Sequence, residues 1–268
     1  SGEFKELDVW SKKNGIRVHY PSNYKLISNE DINFFKNQNF DIGFCLGWQR
    51  LIPEEILKTF KYGVFGWHGS GFQFPNGRGR SPINWSIRLE LNLIYHNFFK
   101  YSLGVDDGEV FDTKIIKILD TDYISDVQSK ALIHILESTT KLLKQNFKKK
   151  LILKSQPKMS FVTFPKLTEE DGWIQPRISN LKSSIAIVRS CSKPFPGSFL
   201  RIKSTKFLRI WKMKEASKVA FADKTPGMMY YKNDKFYLYF SDGLSEIYDY
   251  EIINKTHINS NFSSFFLD

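Results

Sequence analysis

Cysteine is nearly absent from this chain. Two residues, Cys45 and Cys191, are all that 268 positions carry, which excludes a disulfide framework, and no His/Cys cluster has the spacing of a metal site. No apolar run is long enough to cross a bilayer and there is no signal-type beginning, so a cytoplasmic protein is expected. No internal repeat is visible, and Gly47 alone lacks the spacing of a phosphate-cradling glycine loop. Acidic residues are in short supply: Lys+Arg number 39 against 28 Asp+Glu, a formal charge of +11. That balance favours anionic partners, among them nucleic acid and nucleotide-linked molecules. The densest run, Lys148, Lys149 and Lys150 after Lys141 and Lys144, falls at the end of a helical pattern, where cations suit the dipole as well as they suit a binding patch.

Aromatic rings are abundant, 16% of residues with 24 Phe, and the patterned segments are short. Leaving residues 1–4 out of the fold reading, residues 5–14 read as a helix stopped by Gly15, and residues 16–20 alternate as a strand. Ser28 caps a second helix, residues 41–46 form an apolar strand, and Pro53 opens a helix with Glu54 and Glu55 in its first turn. Gly63 ends that unit and a strand runs to His68; Ser81 and Pro82 start another helix. Residues 93–101 and 109–118 are strand-like on either side of a turn, and residues 125–147 carry apolar groups at helical spacing. A polar, basic linker covers residues 148–160. After a helix over 178–188, short strands follow near Phe199 and over 207–211, 218–221, 228–231, 236–240 and 244–250, with a polar tail from 252 to 268. Alternating strands and helices followed by a run of strands predict an α/β domain over residues 5–147 and a small β-barrel over 161–251.

The chemistry concentrates between Gly63 and Gly108. One imidazole, His68, leaves an apolar strand; the Gly/Arg-rich loop 74–85 follows; Asp106 starts a tight Asp-Asp-Gly turn. In an open α/β sheet ligands gather at the carboxyl ends of strands, where this pattern puts His68, and surface turns bring further groups to the same edge. The same residues also suit a buried structural His and a turn-forming Asp. Arg78 and Arg80 can fork around phosphate or carboxylate oxygens, or serve as solvated turn residues.

Three motifs in order carry a resemblance: His68-Gly69-Ser70, then Pro75-x-x-Arg78-Gly79-x-x-Pro82-x-x-Trp85, then Asp106-x-Gly108-x-Val110. They resemble the folate-dependent formyltransferases, which include methionyl-tRNA formyltransferase and the sugar N-formyltransferases. Residues 40–53, with Trp48, Leu51 and Ile52, look like the family's strand and loop beneath the folate, and residues 165–172 and 188–199 resemble the start of its C-terminal domain. The resemblance implies a Rossmann-like catalytic domain followed by a domain similar to an OB fold. By the same resemblance, the family's first strand-helix-strand unit is expected to be missing ahead of the matched region.

The resemblance also implies roles. His68 is the expected base and Asp106 its partner or proton relay, with Gly66 and Ser70 at the oxyanion. Trp48, Leu51, Ile52, Gly104 and Val105 are expected at N10-formyltetrahydrofolate, and Arg78, Arg80 and Asn84 at the acceptor. No metal is expected. Two departures stand out: the family usually has Asn two residues before the His, where this chain has Gly66, and the residues Gly71 to Phe74 lengthen the loop after His68. They favour, as acceptor, an amino sugar, nucleotide-linked, in surface-glycan biosynthesis; the alternatives are methionyl-tRNA formyltransferase and a noncatalytic folate- or nucleotide-binding homologue. A homodimer is compatible with all three.

Overall fold

An eight-residue apolar segment, β2 (Gly63–Ser70), is the spine of the first sheet once β1 (Ile42–Cys45) is laid beside it. The two run parallel, with Cys45 opposite Gly66, and the short helix α3 (Glu54–Leu57) lies in the connection between them. The computed structural model describes residues 8–147, 150–203, 206–217 and 219–254. Ahead of β1 are α1 (Asp8–Lys13) and α2 (Asn29–Gln38), the latter capped by Ser28, whose hydroxyl accepts from Asp31 N at 3.0 Å. Pro53 stands at the cap of α3 rather than inside it.

On its other side β2 pairs antiparallel with β4 (Leu93–Lys100), which puts Asn97 opposite His68 and Phe99 opposite Gly66. Before β4 come β3 (Arg78–Gly79) and α4 (Pro82–Arg88); after it comes β5 (Val110–Lys117), giving the mixed order β1-β2-β4-β5. Neighbours on both sides explain why seven of the eight residues of β2 are buried. Alternation then divides the strand. Phe65 and Trp67 face α5 (Ile124–Leu143): Phe65, Phe98 and Leu142 are fully buried together, Trp67 stacks on Phe98 at 4.5 Å, and the Trp67 indole donates to Ser138 Oγ at 2.9 Å. Each such apolar side chain contributes about 1.5–3 kcal/mol on burial. Gly66, His68 and Ser70 therefore point to the opposite face.

Two compact units emerge from the contacts: Ser1–Pro82, Tyr95–Ile116 and Lys130–Phe164 form one, and Ile83–Ile94, Lys117–Ser129 and Pro165–Asp268 the other. In the first, β6 (Thr163–Phe164) runs parallel to β3. The second contains α6 (Leu181–Cys191) and an antiparallel sheet of β7 (Ser198–Lys203), β8 (Lys206–Glu215), β9 (Met229–Lys232), β10 (Lys235–Phe240) and β11 (Gly243–Asn254), in the order β7-β8-β11-β10-β9. Leu181 and Val188 of α6 pack into the core formed with Leu208, Ile210, Leu238 and Ile247.

Three local expectations change. Residues 16–20 are not a strand: Ile16 and Val18 are exposed, and the segment spends its polar groups on α2 through Arg17 to Gln38 Oε1 (2.6 Å) and His19 to Asp31 Oδ1 (2.9 Å). An alternating pattern without a partner edge makes no ladder. Residues 219–221 are also outside any strand, Phe221 stacking instead on Tyr230 at 4.2 Å; Lys218 lies outside the described residues. The segment expected as a linker is pinned: Lys154 bridges Val110, and Gln156 reaches Asp106 and Gly108. Parts of the N-terminal helix, the lysine run and the tail fall outside the described residues.

Candidate active site

His68 sits on the strand face turned away from α5 and is 6% exposed. Its Nε2 is 2.6 Å from the carbonyl oxygen of Gly77 and its Nδ1 is 3.3 Å from Asp106 Oδ2. A carbonyl can only accept, so Nε2 carries a proton and donates it. The other ring nitrogen, Nδ1, faces the Asp106 carboxylate. The carboxylate is fixed in turn by the Gly79 N–H, which donates to Oδ2 at 3.1 Å. Asp106 adopts φ 50°, a left-handed turn position that Asp tolerates better than most residues.

The loop after His68 folds back over it. Phe74, from the lengthened segment, is buried and stacks on the imidazole at 5.3 Å, its other side meeting Phe99 edge-on at 5.6 Å. The loop is tied down where β3 meets β6, at Gly79. With φ 102° and Phe164 O directly against the position a Cβ would take, only glycine fits there. Arg78 is buried, donates to Gln156 Oε1 at 2.6 Å and lies 4.4 Å over the Phe161 ring. Gln156 Nε2 donates to the carbonyls of Asp106 and Gly108, both at 2.8 Å. Arg78, Gln156 and the Asp106 turn are thus one hydrogen-bonded unit.

The other expected site residues are spread more widely. Ser70 is fully buried and accepts from Phe72 N at 3.2 Å. Arg80 donates to Gln49 Oε1 at 2.5 Å, which joins it to the loop that holds Trp48, Leu51 and Ile52. Trp48 packs on Tyr24 at 4.6 Å, and its indole N–H is buried with no hydrogen-bond partner among the described residues. Leu51 and Val105 are exposed, Gly104 partly so. A buried indole N–H of this kind can donate to the polar edge of a ligand ring. Asn84 belongs to the second unit, where its amide donates to Ser190 O at 2.7 Å.

Two residues near the pair were not anticipated from the sequence. Gln156 lay in what read as a linker, and nothing local distinguishes it. Tyr101, just past β4, carried a signal that alternation could have found: its N–H donates to Val64 O at 2.7 Å, continuing the ladder that sets it on the His68 face. Among the described residues no group of three or more His, Cys, Asp or Glu could hold a metal ion, and no helix is long and apolar enough to cross a membrane.

No family model matches the chain. Individual relatives do. It is 29% identical over 228 residues to the bifunctional polymyxin resistance protein ArnA of Wigglesworthia glossinidia brevipalpis, covering 84% of this chain and 33% of that protein. It is 27% identical over 240 residues to methionyl-tRNA formyltransferase of Caldanaerobacter subterraneus, covering 87% of this chain and 72% of that one. The chain is thus similar in sequence to folate-dependent formyltransferases. The fold agrees: it is similar to that of the N-formyltransferase of Helicobacter canadensis, solved with folinic acid and dTDP-3-aminofucose, with a TM-score of 0.62, 17% identity and coverage of 92% of this chain and 83% of that one. Among the curated relatives the span is partial, a third of ArnA's length.

Proposed function

We propose that the protein transfers a formyl group from N10-formyltetrahydrofolate to the amine of an amino sugar, nucleotide-linked, in surface-glycan biosynthesis in the cytoplasm. The observation that carries this reading is the His68–Asp106 pair, 3.3 Å apart on the family's motif residues and on the strand face away from the core. Transfer joins the amine nitrogen to the formyl carbon and breaks the bond from that carbon to N10; one proton leaves the amine and one reaches N10. His68 Nδ1 accepts the first, and Asp106 stabilises the resulting imidazolium or passes a proton on. Trp48 with Leu51, Ile52, Gly104 and Val105 would hold the folate, and Arg80 the acceptor.

Arg78, engaged with Gln156, would act on the acceptor through the shape of the loop. In this reading residues 5–147 are the catalytic domain and residues 161–251 an OB-like domain, which the antiparallel order of the second sheet supports. The solved relative from Helicobacter canadensis, bound to a nucleotide-linked amino sugar, supports the acceptor class. A second reading, formylation of methionyl-tRNA, is favoured by the relative from Caldanaerobacter and by the +11 charge. Incubation with N10-formyltetrahydrofolate and a panel of nucleotide-linked amino sugars, read by mass spectrometry, tests the proposal. A product carrying one added formyl group is expected; formylation of methionyl-tRNA alone would overturn the sugar reading.

A further inference from the structure

Formyl transfer needs a hydrogen-bond donor aimed at the carbonyl oxygen as it gains charge, and two side-chain donors on this face, at His68 and Asn97, are already engaged. His68 Nε2 is held by Gly77 O, and the Asn97 amide, opposite His68 on the same face, donates to Tyr95 O at 3.3 Å while accepting from Thr113 at 2.8 Å. The open position is Gly66, two residues before His68 and on its face. That space is filled from the next strand. A Cβ at position 66 would lie 2.6 Å from Tyr101 Cζ, with the phenol oxygen closer still. The hydroxyl thus lies over the backbone of Gly66, about one strand repeat, ~6.6 Å, from the His68 position.

Its present partner is weak. The Tyr101 hydroxyl bonds the Cys45 thiol, a poor hydrogen-bonding group that burial keeps protonated. Burial, then the nearby Cys45 and Asp106, push the phenol far above its ordinary range, so it keeps its proton at any working pH. A neutral O–H with a partner that is cheap to leave, on the face of the base and within the field of Asp106, is a donor in waiting.

Resting on the formyl-transfer reading, we propose that Tyr101 is a catalytic residue whose phenol donates a hydrogen bond to the formyl oxygen as it becomes an oxyanion, from the space that Gly66 leaves open. The phenol keeps its proton throughout; it stabilises charge and transfers nothing.

The test compares wild type with Tyr101→Phe in single-turnover transfer from N10-formyltetrahydrofolate to hydroxylamine, a small amine that makes the natural acceptor unnecessary. Folinic acid binding is measured alongside. Tyr101→Phe leaves the ring over Gly66 and removes only the oxygen. The expected result is a rate about 10²–10³-fold lower, with folinic acid affinity unchanged. A second variant, 3,5-difluorotyrosine at 101, keeps the shape with a more acidic phenol and should introduce a loss of rate at alkaline pH that wild type lacks. Rates within about threefold of wild type for Tyr101→Phe would overturn the role of Tyr101 and leave formyl transfer standing. A wild type that binds folinic acid but transfers to neither hydroxylamine nor any amino sugar would overturn the transfer reading, and the role of Tyr101 with it.

Discussion

Asp106 Oδ2 lies 3.3 Å from His68 Nδ1 and accepts from the Gly79 N–H on its other side. The carboxylate is therefore aimed by a backbone group, and its charge rather than its position is what an isosteric change removes. His68→Asn should lower formyl transfer about 10²–10⁴-fold while folinic acid still binds. Asp106→Asn should be nearly as damaging and should alter the pH dependence of the rate. Wild-type turnover by His68→Asn, or an unchanged pH–rate profile in Asp106→Asn, would contradict this coupling.

Restoring an amide at position 66 should not help. A side chain there collides with the Tyr101 ring, so Gly66→Asn must displace it, at about 1–3 kcal/mol of overpacking. Denaturant unfolding should show that loss, and single-turnover transfer should fall. A hundredfold rate gain would mean that Tyr101 only fills a hole.

Acid should weaken the first unit through its second imidazole cluster. His96 is buried with Nδ1 2.8 Å from His134 Nδ1, and burial first, then the charges of His134 and His68, push it down to about 3 from the ordinary 6.5. The unfolded chain binds a proton at His96 between these values and the folded chain does not. Stability is therefore full above about pH 6.5 and is lost as pH falls towards 3, by an amount on the order of 3–5 kcal/mol for this group. Thermal unfolding from pH 7 to 4 should show a falling midpoint that His96→Gln flattens; parallel curves for the two proteins would assign the acid loss elsewhere.

The loop clamp makes its own prediction. Gly79→Ala combines φ 102° with a clash against Phe164 O, a cost of about 1–3 kcal/mol from backbone strain alone. It should also free the loop that fixes Asp106, so transfer should fall more than folinic acid binding does. An alanine variant with unchanged melting and turnover would show that the β3–β6 pairing carries no such load.

Salt separates the two acceptors. Binding to several tRNA phosphates weakens steeply as salt rises, whereas a nucleotide-linked sugar releases few counterions. Filter binding should give no saturable methionyl-tRNA isotherm at physiological salt; a clear one would reverse the preference for a sugar.

Much of this was written in local pattern. The apolar run ending at His68, the glycine and arginine loop, and the Asp-Asp-Gly turn are each set by residues close in sequence, which is why β2 and the Asp106 turn stand where the sequence reading put them. Those segments locate His68 and Asp106; their roles as base and partner were implied only by the family resemblance. What tertiary structure decided are the contacts that span the chain. Gln156 reaches Asp106 across 50 residues and Arg78 across 78, Phe74 closes on His68, and Tyr101 enters the space at Gly66. Residues 16–20 make the same point in reverse, a strand-like alternation that found no edge to pair with. Periodicity fixes which face a side chain takes, but only packing determines which distant group comes to fill the space beside it.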